Sequence, residues 1–183
     1  MEPPTVEIKK KRGRKPKQII VDPDNVNKNI VGKSEGEREL YKLLTSLNIT
    51  YTKEVAFDKC RGDKCPLKGD VLIIVDTKVA IIEIDGKQHF EKVEEFHRKE
   101  GDFEKGQKYD IIKNKFYREE KISLLRIAHT DVKKLGFHVL GFVDALKKMK
   151  YGDYIHAFSS LELYKEPYGK EDKKKDYNYC GIQ

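Results

Sequence analysis

The stretch "IIEIDGKQHF" at residues 81–90 opens as an apolar strand and then sets Glu83, Asp85 and His89 within seven positions. Side chains two apart in a strand share a face, so Ile82 and Ile84 point one way and Ile81, Glu83 and Asp85 the other. Burying two carboxylates on one face of a sheet is costly unless positive charge sits between them. The run "GDVLIIVD" at 69–76 places Asp70 on a neighbouring strand, and a hairpin would bring Asp70 near Glu83. Clustered acidic oxygens with no obvious basic partner suit a hard divalent cation, Mg2+ or its substitute Mn2+. Asp70 and Asp85 could equally end their strands in water. Glu83, flanked by Ile82 and Ile84, fits that bland placement poorly.

Such groups need a sheet to hold them. "SEGERELYKLLTSLN" puts Leu40, Leu43, Leu44 and Leu47 on one stripe, the pattern of an amphipathic helix. Strands are expected at 50–57, 69–76 and 78–85, a helix at 107–120, a strand at 121–128 and a helix at 138–149. Three early strands with tight connections make an antiparallel meander, and the fourth, arriving by a helical crossover, adds in parallel. The expected fold is α/β, a mixed sheet with helices on its faces. The first helix adds Glu37, which borders the apolar stripe and is best placed to look toward the sheet. Ser34 and Glu37 also form S-x-x-E, a capping box that would fix the helix start with no catalytic role.

Of 183 residues, 38% are hydrophobic and another 38% charged, so the core must be economical and the surface heavily charged. The longest clean apolar run, Val71 to Val75, is strand-sized and far short of a membrane span. No apolar segment follows the first charges, so no secretory signal is expected. Three cysteines, an odd count, argue against a secreted disulfide scaffold and for an intracellular, reducing compartment: cytoplasm, nucleus or viral factory. Net charge is +7, and residues 1–20 hold seven basic residues against Glu2 and Glu7, so most of the excess lies in that stretch. Residues 1–30 read as a flexible basic arm, 31–165 as the folded domain and 166–183 as a charged tail. Within the arm, "KRGRKPKQ" resembles an AT-hook. That resemblance implies Arg12 and Arg14 lying in the minor groove of A/T-rich DNA, Gly13 allowing close approach, and Lys15 and Lys17 beside them. A nuclear localisation signal is the alternative reading.

Five segments, "SEGERELYKLL", "LKGDVLIIV", "IIEIDGKQHF", "KYDIIKNKF" and "ISLLRI", together resemble the PD-(D/E)xK nuclease superfamily. Within it they are most similar to the very-short-patch-repair (Vsr)-like branch and the homing endonucleases with an EDxHD signature. The resemblance covers residues 33–128, and its most specific piece is E-x-D-G-x-Q-H-F. It implies a restriction-endonuclease-like αβββαβ core, with Glu37, Asp70, His89 and Asp110 as E, D, H and final D, and Glu83 and Asp85 on the site's strand. The wider superfamily would carry lysine at position 85, where this chain has Asp85. In the repair-type branch a histidine after the strand handles protons, and His89 fits that pattern.

The implied activity is Mg2+-dependent hydrolysis of DNA phosphodiesters, by nicking or double-strand cleavage. Asp70 and Glu83 would hold the metal, and His89, with an ordinary pKa of about 6.5, would be the general base. Asp110 or Asp85 would orient the imidazole, and Glu37 would serve a water or a second ion. Asp110 could instead face solvent on a polar helix side with Lys113 and Asn114. Lys113 and Lys115 read as phosphate contacts. The alternatives are a non-catalytic AT-hook DNA-binding protein on a nuclease-like fold, and a structure-selective nuclease acting on junctions or RNA.

Overall fold

The structure is a computed structural model. It describes residues 34–150, 152–160 and 162–164, and the backbone of 5–8 and 17–20. Strands β1 (Thr5–Ile8) and β2 (Lys17–Ile20) pair antiparallel, with Thr5 opposite Ile20 and Ile8 opposite Lys17. This ladder lies within the stretch read as an arm. The AT-hook-like residues Arg12, Gly13, Arg14 and Lys15, and the tail at 166–183, lie outside the described residues.

The chain then runs through α1 (Glu35–Ser46), β3 (Thr50–Arg61), β4 (Pro66–Val75), β5 (Lys78–Asp85), α2 (Asp102–Glu119), β6 (Ser123–Ala128), α3 (Leu135–Lys148) and β7 (His156–Phe158). The five strands form one open mixed sheet in the order β3-β4-β5-β6-β7. The first three are antiparallel, β6 is parallel to β5, and β7 is parallel to β6. β4 and β5 are rich in β-branched residues, which pack well on a pleated surface, and they join through a two-residue turn at Asp76 and Thr77, Asp76 at φ 54°. β7 is absent from the sequence reading, because three residues are too few to carry a period. α2 begins at Asp102 and α3 at Leu135, each earlier than their apolar stripes indicate.

The alternation in β5 sorts its two faces as the sequence requires. On one side Leu40, Tyr41 and Leu44 of α1 and Val139, Phe142 and Leu146 of α3 pack on Ile73, Ala80, Ile82 and Leu125. On the other, Phe116 and Tyr117 of α2 pack on Leu72, Ile81 and Leu124, with Phe57 and Cys60 beside them. Burial pushes the Cys60 thiol up to about 11, so it behaves as a small inert hydrophobe. Cys60 and Cys65 are both free thiols. No helix among the described residues is long and apolar enough to cross a membrane.

Two irregularities shape the end of the sheet where the acids lie. Tyr51 packs with the first cluster, while Val55 and Phe57 pack with the second. These positions share parity, so β3 turns over between them, at Glu54, whose φ is 50°. β4 turns over alongside. Val71 faces the α1 side, yet a Cβ on Gly69 would stand 2.7 Å from the Tyr117 hydroxyl, on the α2 side. Such bulges re-aim side chains at sheet ends. Here the β4–β5 ladder stops at Val71 opposite Ile82. Beyond it the Asp70 carboxylate accepts the Ile84 N–H at 2.8 Å in place of a ladder bond. α1 closes the same corner: a Cβ on Gly36 would come within 2.7 Å of Ile84 Cγ2, so glycine is what lets the helix start approach the end of β5.

Candidate functional site

Asp110, Lys113, Asn114 and Tyr117 stand at i, i+3, i+4 and i+7 on α2 and so share one face. That face is buried against the sheet, and not turned to solvent as its polarity suggested. It meets Glu83 and Asp85 of β5, and Arg126 of β6, which pairs with Glu83 in the parallel register. Arg126 is fully buried and is the hub. Its Nε and Nη2 donate to the two oxygens of Asp85, Nη2 also to Asp110 Oδ1 at 2.9 Å, and Nη1 to Asn114 Oδ1 at 2.9 Å. A planar guanidinium fork matches carboxylates in this bidentate way, whereas an ammonium would not. The Tyr164 hydroxyl, from beyond β7, donates to Asp85 Oδ2 at 2.7 Å. Burial alone would push both carboxyls up, but the Arg126 charge and its hydrogen bonds outweigh it and hold Asp85 and Asp110 below the usual carboxylate range.

His89 ends a single 3₁₀ turn, Lys87–His89, directly after β5. Its Nδ1 lies 2.7 Å from Asp110 Oδ2 and 3.6 Å from Asp85 Oδ1. The ring is 27% exposed, enough for its other edge to meet a ligand. Burial would lower the imidazole pKa; the hydrogen bond to Asp110 and the charges of Asp85 and Asp110 overcome that, with Arg126 opposing, and the net direction is up. The ligand atoms of Asp85, His89 and Asp110 lie within 4.8 Å of one another, a spacing that could hold a metal ion. Both carboxylates, however, already share one buried guanidinium, and a dication set between them would meet that fixed charge at close range. The triad is better suited to holding a proton.

Glu83 is paired in its own right. Lys113 Nζ donates to its Oε2 at 2.9 Å and Tyr117 Oη to its Oε1 at 3.2 Å. The expectation of acids without basic partners is therefore corrected: the cations come from α2 and β6, elements remote in sequence. Lys113 also reaches the Lys68 carbonyl at 3.4 Å and lies 3.7 Å from Asp110 Oδ1, so it points inward and is no surface phosphate contact. The charges of Glu83 and Asp110 hold its ammonium above the ordinary lysine value although burial opposes.

Asp70 is the carboxylate the hub does not neutralise. Burial first, then repulsion from Glu83, pushes it up to about 7, with Lys113 and the Ile84 N–H giving partial relief. Glu37 occupies the helix-capping role: its backbone N–H donates to Ser34 Oγ, and its carboxylate accepts the Ser34 N–H. Its charge and that of Asp70 are both felt by the buried Tyr41 hydroxyl, so the two acids flank one corner.

The structure thus gathers Asp85, His89 and Asp110 in direct contact, joins Glu83 to them through Lys113, and sets Asp70 at the adjoining fork. Lys115 is exposed on α2. Sequence reasoning missed Arg126, Asn114, Tyr117 and Tyr164. For Arg126 the signal was present, a lone arginine inside the apolar run "SLLRIA". No family model matches this chain, and no curated protein or solved structure matches it.

Proposed function

We propose that this chain is a metal-dependent endonuclease that hydrolyses DNA phosphodiesters at the corner formed by β4, β5 and α2. The observation that carries the reading is the packing of His89 against Asp110 and Asp85 at the end of β5, with Asp70 at the fork of the same strands. Helix, three-strand meander, helix and strand in this order also suit the restriction-endonuclease-like core that the sequence resembles. The amine that this resemblance would carry at position 85 is offered to Glu83 from α2, by Lys113.

A divalent ion fits Asp70. Its carboxyl is crowded by Glu83 and pushed up to about 7, so this corner lacks positive charge. Mg2+ asks for only one or two protein carboxylates and keeps several waters. Asp70 would hold it, with Glu83 behind and Glu37 alongside. When bound, such an ion supplies charge for the pentavalent phosphorus and makes nearby water more acidic. The chain's own residues do the rest: Asp110 and Asp85 fix the His89 ring, Arg126 holds both carboxylates in place, and His89 carries a proton to or from the reacting oxygens. The basic stretch at 9–17 would tether the enzyme to DNA.

The test is full-length protein with supercoiled plasmid and Mg2+, beside His89→Ala and Asp70→Ala. Nicking or linearisation by the wild type, lost in both variants and on adding EDTA, is the expected outcome. DNA binding without cleavage in Mg2+ or Mn2+ would instead make this a binding protein on a nuclease-like fold.

A further inference from the structure

The charges around His89 decide which way its proton moves. From β5 it faces Asp85, from α2 Asp110 with Lys113 behind it, and from β6 Arg126, while the Tyr164 hydroxyl covers Asp85. The connected buried network holds three carboxylates, Glu83, Asp85 and Asp110, and two permanent cations, Lys113 and Arg126. One negative charge is left, and the group bonded to the Asp110 oxygen that Arg126 does not hold is the imidazole. A buried network settles at neutrality, because an uncompensated charge is expensive away from water. A neutral imidazole would leave that charge standing, whereas an imidazolium cancels it. Nδ1 faces the two aspartates, so Nε2 is the nitrogen that can reach a substrate.

We infer that His89 enters the reaction as an imidazolium and acts as the general acid toward the departing oxygen, in place of the general base that its position in the sequence suggests. This rests on the hydrolytic reading above. Water forms a bond to phosphorus and releases a proton to solvent. The bond from phosphorus to the leaving oxygen breaks with its electron pair, and that oxygen takes the Nε2 proton. The neutral ring then regains a proton from solvent, drawn by Asp110 and Asp85. Arg126 serves as a positioning residue here, since it holds both aspartates but reaches no substrate.

The experiment compares a DNA oligonucleotide duplex with the same duplex carrying sulfur in place of the leaving oxygen at the cleaved bond. A thiolate departs without protonation. Full-length His89→Ala should lose roughly 10²–10⁴-fold on the oxygen substrate and stay within about tenfold of wild type on the sulfur one. Equal losses on both substrates would overturn the acid role and make His89 a base. Absence of cleavage of either by the wild type would sink the nuclease reading, and a second readout still judges the charge argument. ¹⁵N chemical shifts of the His89 ring in the full-length protein at pH 7 should be those of an imidazolium, and neutral-ring shifts would overturn the proposal outright.

Discussion

Replacing Arg126 with methionine should lower the thermal midpoint by about 10–20 °C, the equivalent of about 3–5 kcal/mol for stripping one partner from a buried ion network. Arg126 is completely buried and binds Asp85, Asp110 and Asn114 at once, so its loss leaves two carboxylates on one sheet face with only His89 and Lys113 nearby. Methionine fills much of the volume, which keeps the packing loss small beside the electrostatic one. Lysine should rescue only part, because it retains the charge and loses the fork. The deficit carries a pH signature. Asp85 and Asp110 have folded-state pKa values below their unfolded ones, so in the wild type their stabilisation is present above the ordinary carboxylate range and fades as pH falls through the lower folded values. In Arg126→Met that contribution is gone, and the gap from wild type should narrow toward acid pH. Urea unfolding at several pH values measures it; a loss below about 1 kcal/mol at pH 7 would mean the hub is not what orders this corner.

Asp70→Asn should move stability and activity in opposite directions. With a folded-state pKa of about 7 against about 3.9 unfolded, wild-type Asp70 stays protonated in the native state after the unfolded chain has lost its proton. Stability therefore falls as pH climbs from about 4 to about 7 and stays reduced above that. Asparagine keeps an oxygen for the Ile84 N–H and carries no charge, so the variant should be the more stable protein at pH 8, with the advantage shrinking toward pH 5. Cleavage should drop about 10³-fold or more, since the carboxylate proposed to hold the metal is gone. A variant that cleaves normally, or that is less stable than wild type at pH 8, would contradict the placement of Asp70.

The strands were legible because their apolar runs are continuous or alternate cleanly, and the E-x-D-G-x-x-x-H spacing placed Glu83, Asp85 and His89 at one strand end. Their partners were hard to read because local periodicity says nothing of which distant element supplies a cation. Lys113 and Asn114 were ambiguous on a polar helix face; only the packing of α2 on β5 and β6 decides that this face is internal. Arg126 could have been suspected from its apolar flanks, since an arginine in such a strand must find carboxylates. Tyr164 offered no local signal, being 79 residues from the Asp85 it contacts. The turnover of β3 and β4 at Glu54 and Gly69 was equally hidden, and with it the reason Asp70 leaves the ladder.

Paramagnetic Mn2+ added to full-length protein labelled at its five histidines reads the distance between metal and imidazole directly. Substoichiometric ion should broaden the His89 ring signals ahead of those of His156, which is buried beneath β6 against the Ile122 carbonyl, and Asp70→Asn should abolish the effect. His89 signals that stay sharp while another histidine broadens, or broadening that Asp70→Asn leaves intact, would separate the metal from the imidazole and overturn the proposed site.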